Sequence, residues 1–237
     1  KLGQSFRMPV VDENRFLATL LEPQKSKDRE IGLQWQRDRT RVRLAVFESR
    51  LTNEINFIPG NLEISGFGTN TNLPPTRRRG AELSATSPIT EAVTLAGSYS
   101  WTDATFREGV FQGFEVTGNR IPLVPRHSAT ASVAWRIDQR WQLTTSARYT
   151  GSQPYDNDQA GGFGRLMPSY TLVDLVGSYE DGPWRFRASA LNLFDERYAS
   201  WGIVRIDSTT RAYDPVARVY PAAGRTMFLT AEYRFGG

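Results

Sequence analysis

No cysteine occurs among the 237 residues, which excludes disulfides, thiolate metal centres and cysteine nucleophiles. Nor does any stretch approach the roughly 20 apolar residues that a membrane-crossing helix needs. With a mean hydropathy of -0.45 the chain is too polar for a helical membrane bundle. A barrel escapes that limit, because only alternate residues of its strands face lipid. Histidine is present once, as His127, and lysine only as Lys1, Lys25 and Lys27, so the positive charge is almost all arginine. The net charge of +4 could suggest nucleic acid, but the arginines are scattered and form no helix or stripe. Nucleic acid is therefore not expected as a partner. The start, Lys1-Leu2-Gly3-Gln4, has neither an initiator methionine nor a leader pattern, as expected of a chain cut from something longer.

What is present is a period of two, with almost no 3.6-residue stripe. From about Arg29 onward, Ile31, Leu33 and Trp35 alternate with polar neighbours, then Val42, Leu44 and Val46, then Ala81, Leu83 and Ala85. Val93, Leu95, Gly97, Tyr99 and Trp101 share one face of the next strand. Ala129 to Trp135, Trp141 to Tyr149, Thr171 to Tyr179, Trp184 to Ala190 and Met227 to Phe235 repeat the pattern. About nine strands result, each near the ~9–11 residues that a tilted strand needs to cross a bilayer. Connections alternate strictly: short near 37–40, 87–90, 138–140 and 181–183, long near 54–75, 104–125, 151–168 and 194–224. Short periplasmic turns and long extracellular loops are the asymmetry of an outer-membrane barrel.

Aromatic positions point the same way. Trp35, Trp135, Trp141, Trp184, Tyr233 and Phe235 lie near the short turns on the apolar face, and Tyr99, Trp101 and Tyr149 mark the other end. Two aromatic girdles around a band of small and aliphatic residues suit a lipid-facing wall. The fold class expected is all-β: a transmembrane antiparallel β-barrel wall, apolar side outward and polar side toward a wet lumen.

Ala190-Leu191-Asn192-Leu193-Phe194-Asp195-Glu196-Arg197-Tyr198 resembles the Asn-Leu-Phe-Asp-x-x-Tyr signature near the end of TonB-dependent outer-membrane receptors of the siderophore-receptor type. Pro221 to Arg225 with the final aromatic-ended strand resembles their closing segment. Phe6-Arg7-Met8-Pro9, Glu22-Pro23-Gln24 through Gly32, and Arg79-Gly80-Ala81-Glu82-Leu83 are similar to the family's loop-to-strand junctions. The resemblance implies a 22-stranded barrel with an N-terminal plug. This chain would supply its last nine or ten strands: residues 1–28 an extracellular loop and the possible end of a preceding strand, 29–235 about nine strands. The plug and the TonB box are not in this chain, and the remaining strands are expected in another segment or chain. Gly236 and Gly237 follow Phe235, the aromatic on which the family usually ends.

By the same resemblance, the protein would take up a metal chelate, foremost a ferric siderophore, across the outer membrane of a Gram-negative bacterium. Its partners would be that chelate, TonB through the absent plug, and outer-membrane lipid and lipopolysaccharide. No cofactor is expected, because iron would travel inside the chelate, and no enzyme activity is expected. Alternatives are cobalamin, haem or another scarce nutrient, or a translocator barrel like an autotransporter's. A membrane-embedded hydrolase would have to rely on His127, which points toward lipid.

Anionic chelates call for arginine forks and flat chelator rings for aromatics. The extracellular arginines are Arg77, Arg78, Arg79, Arg107, Arg120, Arg165, Arg205, Arg211 and Arg218, of which Arg107, Arg120, Arg205 and Arg211 are the candidate ligand contacts. Beside them stand Phe111, Tyr155, Phe163, Trp201 and Tyr213, with Phe114 a further loop aromatic. On the inner face Arg43, Glu82, Arg148, Asp174, Arg185, Arg187 and Glu232 are expected to line the lumen and face the plug. No metal site is expected: Asp156-Asn157-Asp158 begins like a calcium loop, but Met167 stands where a bidentate glutamate is needed. Gly161-Gly162-Phe163-Gly164 lacks the Lys-Ser/Thr of a phosphate loop.

Overall fold

The computed structural model describes residues 1–15, 17, 19–58, 68–206 and 215–235. Ten strands form one antiparallel sheet in chain order. They are β1 (Leu2–Arg7), β2 (Gln24–Arg37), β3 (Thr40–Thr52), β4 (Thr76–Pro88) and β5 (Val93–Phe106), followed by β6 (His127–Arg136), β7 (Trp141–Thr150), β8 (Tyr170–Asp181), β9 (Trp184–Leu191) and β10 (Thr226–Tyr233). β1 and β10 are not paired with each other, so the sheet is open. Short hairpins occupy the long loops: Ile55–Ile58 with Thr69–Asn72, Val110–Phe111 with Phe114–Glu115, Gln153–Pro154 with Leu166–Met167, and Ala199–Ile206 with Pro215–Pro221.

Register turns the alternation into rows that run straight across the sheet. Leu33, Leu44, Leu83, Tyr99, Ala129, Tyr149 and Thr171 are successive directly opposed partners. Val93, Trp135, Leu143, Gly177 and Ala188 form another such row, which ends on Leu229. One face is thus apolar throughout, since side chains directly opposite in a ladder share a face. That face is bare. Leu95 is 40% exposed, Val133 36% and Leu229 88%, so the residues that would fill a soluble core stand outside. Trp35, Trp135, Trp141, Trp184 and Tyr233 lie at the short-turn end, where Trp184 stacks on Phe186 and meets Tyr233 edge-on, as Tyr233 meets Phe235. Tyr99 and Trp101 lie at the other end, with the Tyr99 hydroxyl 2.7 Å from His127 Nδ1.

The short turns have local causes. Asp38 and Gly182 hold positive φ of 53° and 56° in the turns joining β2 to β3 and β8 to β9, a region asparagine, aspartate and glycine tolerate best. In the β6–β7 turn, Asp138 Oδ1 accepts the amides of Arg140 and Trp141, both at 2.7 Å. These amides hold its carboxyl below the ordinary aspartate range.

Several strands run further toward the loops than alternation of apolar residues predicts. β2 starts at Gln24 rather than Arg29, β3 continues to Thr52, β4 starts at Thr76, and β5 reaches Phe106. Beyond the apolar band the outward face turns polar, so the apolar alternation stops signalling while the ladder continues. β1 pairs only with the loop-proximal half of β2, from Leu2 opposite Arg29 to Arg7 opposite Gln24.

Burial is inverted relative to a soluble domain. The apolar clusters lie mainly among the loops: Leu73, Ala104, Phe106, Phe111, Val116 and Ile121 form one, and Tyr155, Met167 and Val204 another.

Candidate ligand-binding mouth and lumen wall

Three long loops are bound into one body at the long-loop end. Asn119 Nδ2 donates to the carbonyls of Gln159 (3.1 Å) and Ala160 (2.9 Å), and Leu123 N donates to Pro154 O at 3.0 Å. Asp156 N donates to Gly202 O at 2.8 Å, Val204 N returns a bond to Asp156 O at 2.9 Å, and Asn157 Nδ2 donates to Val204 O at 3.1 Å. Burial raises the carboxyl of Asp156, against the opposing hydrogen bonds from the Asn157 amide and the Trp201 indole. Asp158 is raised by burial too, opposed by the amides of Phe163 and Gly162. Both aspartates are thus used inside the loop body, and no group of three or more metal-ligating side chains occurs among the described residues.

The candidate ligand contacts separate into distinct environments. Phe111 and Tyr155 are buried in the loop clusters, where Tyr155 meets Phe163 edge-on at 5.3 Å. Trp201 packs on Tyr220 at 4.7 Å and donates to Asp156 Oδ2 at 3.2 Å. Large loop aromatics bury area that loop backbone alone cannot: Phe111 and Tyr155 are used in packing the mouth, while Phe163 and Trp201 stay half-buried beside them. Arg120 Nη2 donates to the carbonyls of Val124 (3.3 Å) and Ser152 (3.5 Å). Burial and neighbouring Arg126 pull its pKa down, against Asp103. Arg107 lies away from the lumen, on a groove formed with Lys25, Lys27 and Arg50. Arg205 stays exposed on Ala199–Ile206. Arg211 and Tyr213 lie outside the described residues. Phe114, 63% exposed, and Arg165, whose guanidinium lies 5.9 Å from the Phe163 ring centroid, remain open at the mouth.

Of the three consecutive arginines, only Arg78 faces inward. It holds Glu54 through two hydrogen bonds, at 2.8 and 2.6 Å, and that carboxylate also receives the Thr76 hydroxyl. Arg79 stands opposite Asp103 on the outward face. Glu54 went unremarked in sequence because its partners come from a strand 24 residues away.

The inner wall is polar. Arg43 pairs with Glu30 at 3.0 Å, and Arg185 bridges Glu180 (2.6 Å) and Glu232 (3.9 Å) near the short-turn end. Arg148 and Asp174 line a groove of about 420 Å³ over Ser98, Thr130, Ser132 and Ser146. Glu82 and Arg187 are exposed on the same face.

Asn192 is the best-connected polar residue of the closing segment. It is 5% exposed and has φ 50°. Its Nδ2 donates to Glu196 O (2.9 Å) and Ala223 O (3.4 Å), while Oδ1 accepts the Glu196 amide at 2.9 Å. Its own amide donates to Asp174 Oδ1 at 2.8 Å, and Asp195 Oδ1 accepts the Arg225 amide at 2.8 Å. The Asn-Leu-Phe-Asp run therefore fastens the exit of β9 to the entry of β10.

A sheet with an apolar bare face, aromatic rows at both ends and a polar inner face is the wall of a transmembrane antiparallel β-barrel, left open in this chain. A family model described as "TonB dependent receptor-like, beta-barrel" matches residues 1–193, and the chain belongs to that family. It is 27% identical over 220 residues to the catecholate siderophore receptor Fiu of Escherichia coli (strain K12), covering 92% of this chain and 27% of that protein. An iron-regulated outer membrane virulence protein of Vibrio cholerae is 25% identical over 197 residues, 78% of this chain and 29% of that one. The crystal structure of the ferric yersiniabactin uptake receptor FyuA from Yersinia pestis superposes with a TM-score of 0.76 at 19% identity, covering 99% of this chain and 34% of that one. The chain thus spans less than a third of the length of the Fiu and Vibrio cholerae relatives.

Proposed function

We propose that the whole protein is an outer-membrane receptor that takes up a ferric siderophore, with a catecholate chelate the first candidate. In this reading the long-loop end is extracellular, and TonB acts through a plug that the present chain does not include. The observation that carries it is the two-faced wall in a chain of the receptor-barrel family, one of whose relatives is named a catecholate siderophore receptor. Phe114, Arg165 and Arg205 are open at the mouth and supply a ring face and cations suited to a flat anionic chelate. Membership of the receptor-barrel family and the name of the Fiu relative support a receptor over the hydrolase and autotransporter alternatives. Iron here is cargo, and no resident cofactor enters the mechanism.

The test is growth of a deletion strain on iron-limited medium supplied with one chelate at a time, with uptake of labelled iron. Loss of uptake from ferric catecholates, restored by the full-length gene, is expected. Unchanged uptake from every chelate would overturn a siderophore role, and loss confined to haem or cobalamin would reassign the cargo.

A further inference from the structure

Where loops 104–125 and 151–168 meet the hairpin strand Ala199–Ile206, two carboxyl groups and one amide lie in consecutive residues. Asp158 is 8% exposed, and its Oδ1 takes the Phe163 amide at 3.2 Å. Half-buried Asp156 takes the Asn157 amide on Oδ1 at 2.8 Å and the Trp201 indole on Oδ2 at 3.2 Å. Between them in sequence, Asn157 Oδ1 is buried with no hydrogen-bond partner. Turning that amide over does not relieve it. Asn157 Nδ2 donates to Val204 O at 3.1 Å, and the turned oxygen would face that carbonyl. A buried acceptor without a donor is unfavourable, and ionised carboxylates can only accept.

No cation offsets the two carboxyl groups. Among the described residues neither makes an ion pair, and the charged groups of each packed element are engaged or exposed elsewhere. Arg120, from loop 104–125, donates to the carbonyls of Val124 and Ser152. Arg165, on the same loop as Asp158, lies over the Phe163 ring. Arg205 and Arg218 on the hairpin are exposed, Arg218 opposite Ile203. The rest of the junction is built on Tyr155, Met167 and Val204. A carboxylate enclosed in this way is disfavoured against its protonated form. Burial does hold the Asp158 carboxyl above the ordinary aspartate range, against the amides of Phe163 and Gly162.

We propose that Asp158 carries a proton and donates it to Asn157 Oδ1, which makes this junction a clasp that tightens in acid. Both Asp156 oxygens already accept a bond, whereas the Phe163 amide lies on Asp158 Oδ1 and leaves Oδ2 for the proton. Asn157 in turn holds Val204 O, and the Val204 amide donates to Asp156 O at 2.9 Å. The proton thus completes a chain of bonds from loop 151–168 to the hairpin. It is bound more tightly in the closed junction than in an opened one. Its contribution is therefore whole below the ordinary aspartate value and lost as pH rises through the raised one. In the outer-membrane orientation proposed above, the clasp follows the pH of the external medium. It does not depend on which cargo the receptor carries.

The test is hydrogen–deuterium exchange of the full-length receptor in neutral detergent, from about pH 4 to about pH 8, corrected for the intrinsic rate. The amides of Asp156 and Val204 are expected to be at least about threefold better protected at the acid end. The Val116 amide, bonded to Gly109 O in the neighbouring cluster, is expected to show no such change. Asp158→Asn supplies an uncharged side chain with an N–H donor. It is expected to hold the protection of Asp156 and Val204 at the acid level throughout the range. A flat profile in the wild type overturns the proposal, and needs no variant to fold. So does a pH dependence that survives in the folded Asp158→Asn protein. Full protection at neutral pH on adding calcium also overturns it, since the orphan oxygen would then belong to a cation. Exchange is read at named amides, so a receptor that failed every uptake assay would leave this result untouched, and the two readings fail separately.

Discussion

Asn192 shows how a signature residue works in this wall. Its side chain satisfies three backbone groups across two chain segments while buried, and its positive φ is one asparagine tolerates well. Asn192→Ala strips those partners and leaves buried amide and carbonyl groups unpaired. A loss of about 2–3 kcal/mol is expected, read as a lower urea midpoint of the full-length receptor. An unchanged midpoint would mean the network is dispensable. Sequence marked Asn192 through a resemblance, but its bonds to Ala223 and Glu196 depend on how the chain returns. The loop aromatics teach the converse. Phe111 and Tyr155 have residue types suited to a ligand, yet they are needed to close the loop body. Residue type alone cannot separate these uses, because the apolar surface that contacts a chelate is the same surface that packs against Met167 or Val116.

At the scale of elements, the wall follows from period two plus register. Once Trp35 opposes Val42 and Leu95 opposes Val133, every strand must present its apolar set to one side, since a one-residue slip would reverse the faces. Neighbours in one strand therefore meet different solvents. Ala131→Arg places a charge mid-strand on the outward face and is expected to cost about 2–4 kcal/mol. Ser132→Arg, one residue along but facing the inner groove, is expected to cost far less. Urea unfolding of the full-length receptor from lipid vesicles measures both, and equal costs would contradict the orientation. Strand ends were harder to read than strand middles. Past Ile31 or Trp101 the outward face turns polar, so the apolar alternation ends while hydrogen bonding carries the ladder on.

The whole molecule is an open sheet with β1 and β10 as its edges. Unpaired backbone groups in lipid cost several kcal/mol each, so the two edges require strands that this chain does not contain. Its even strand count would let ten antiparallel strands close, but β1 covers only half of β2 and leaves the lower edge of that strand bare. Expressed alone and refolded in detergent, these 237 residues are expected not to give a protease-resistant, heat-modifiable barrel. A stable heat-modifiable form would show that the ten strands close by themselves.

Sequence by itself determined the strand period, the alternation of short turns with long loops, the girdle aromatics and the family resemblance, because each is local or repeats at fixed spacing. Only the tertiary structure decided which arginines meet which acids, which loop aromatics are buried, and that Asp158 is buried where three loops meet. Those facts depend on register between strands far apart in the chain, and nothing local to any one strand encodes what lies opposite it.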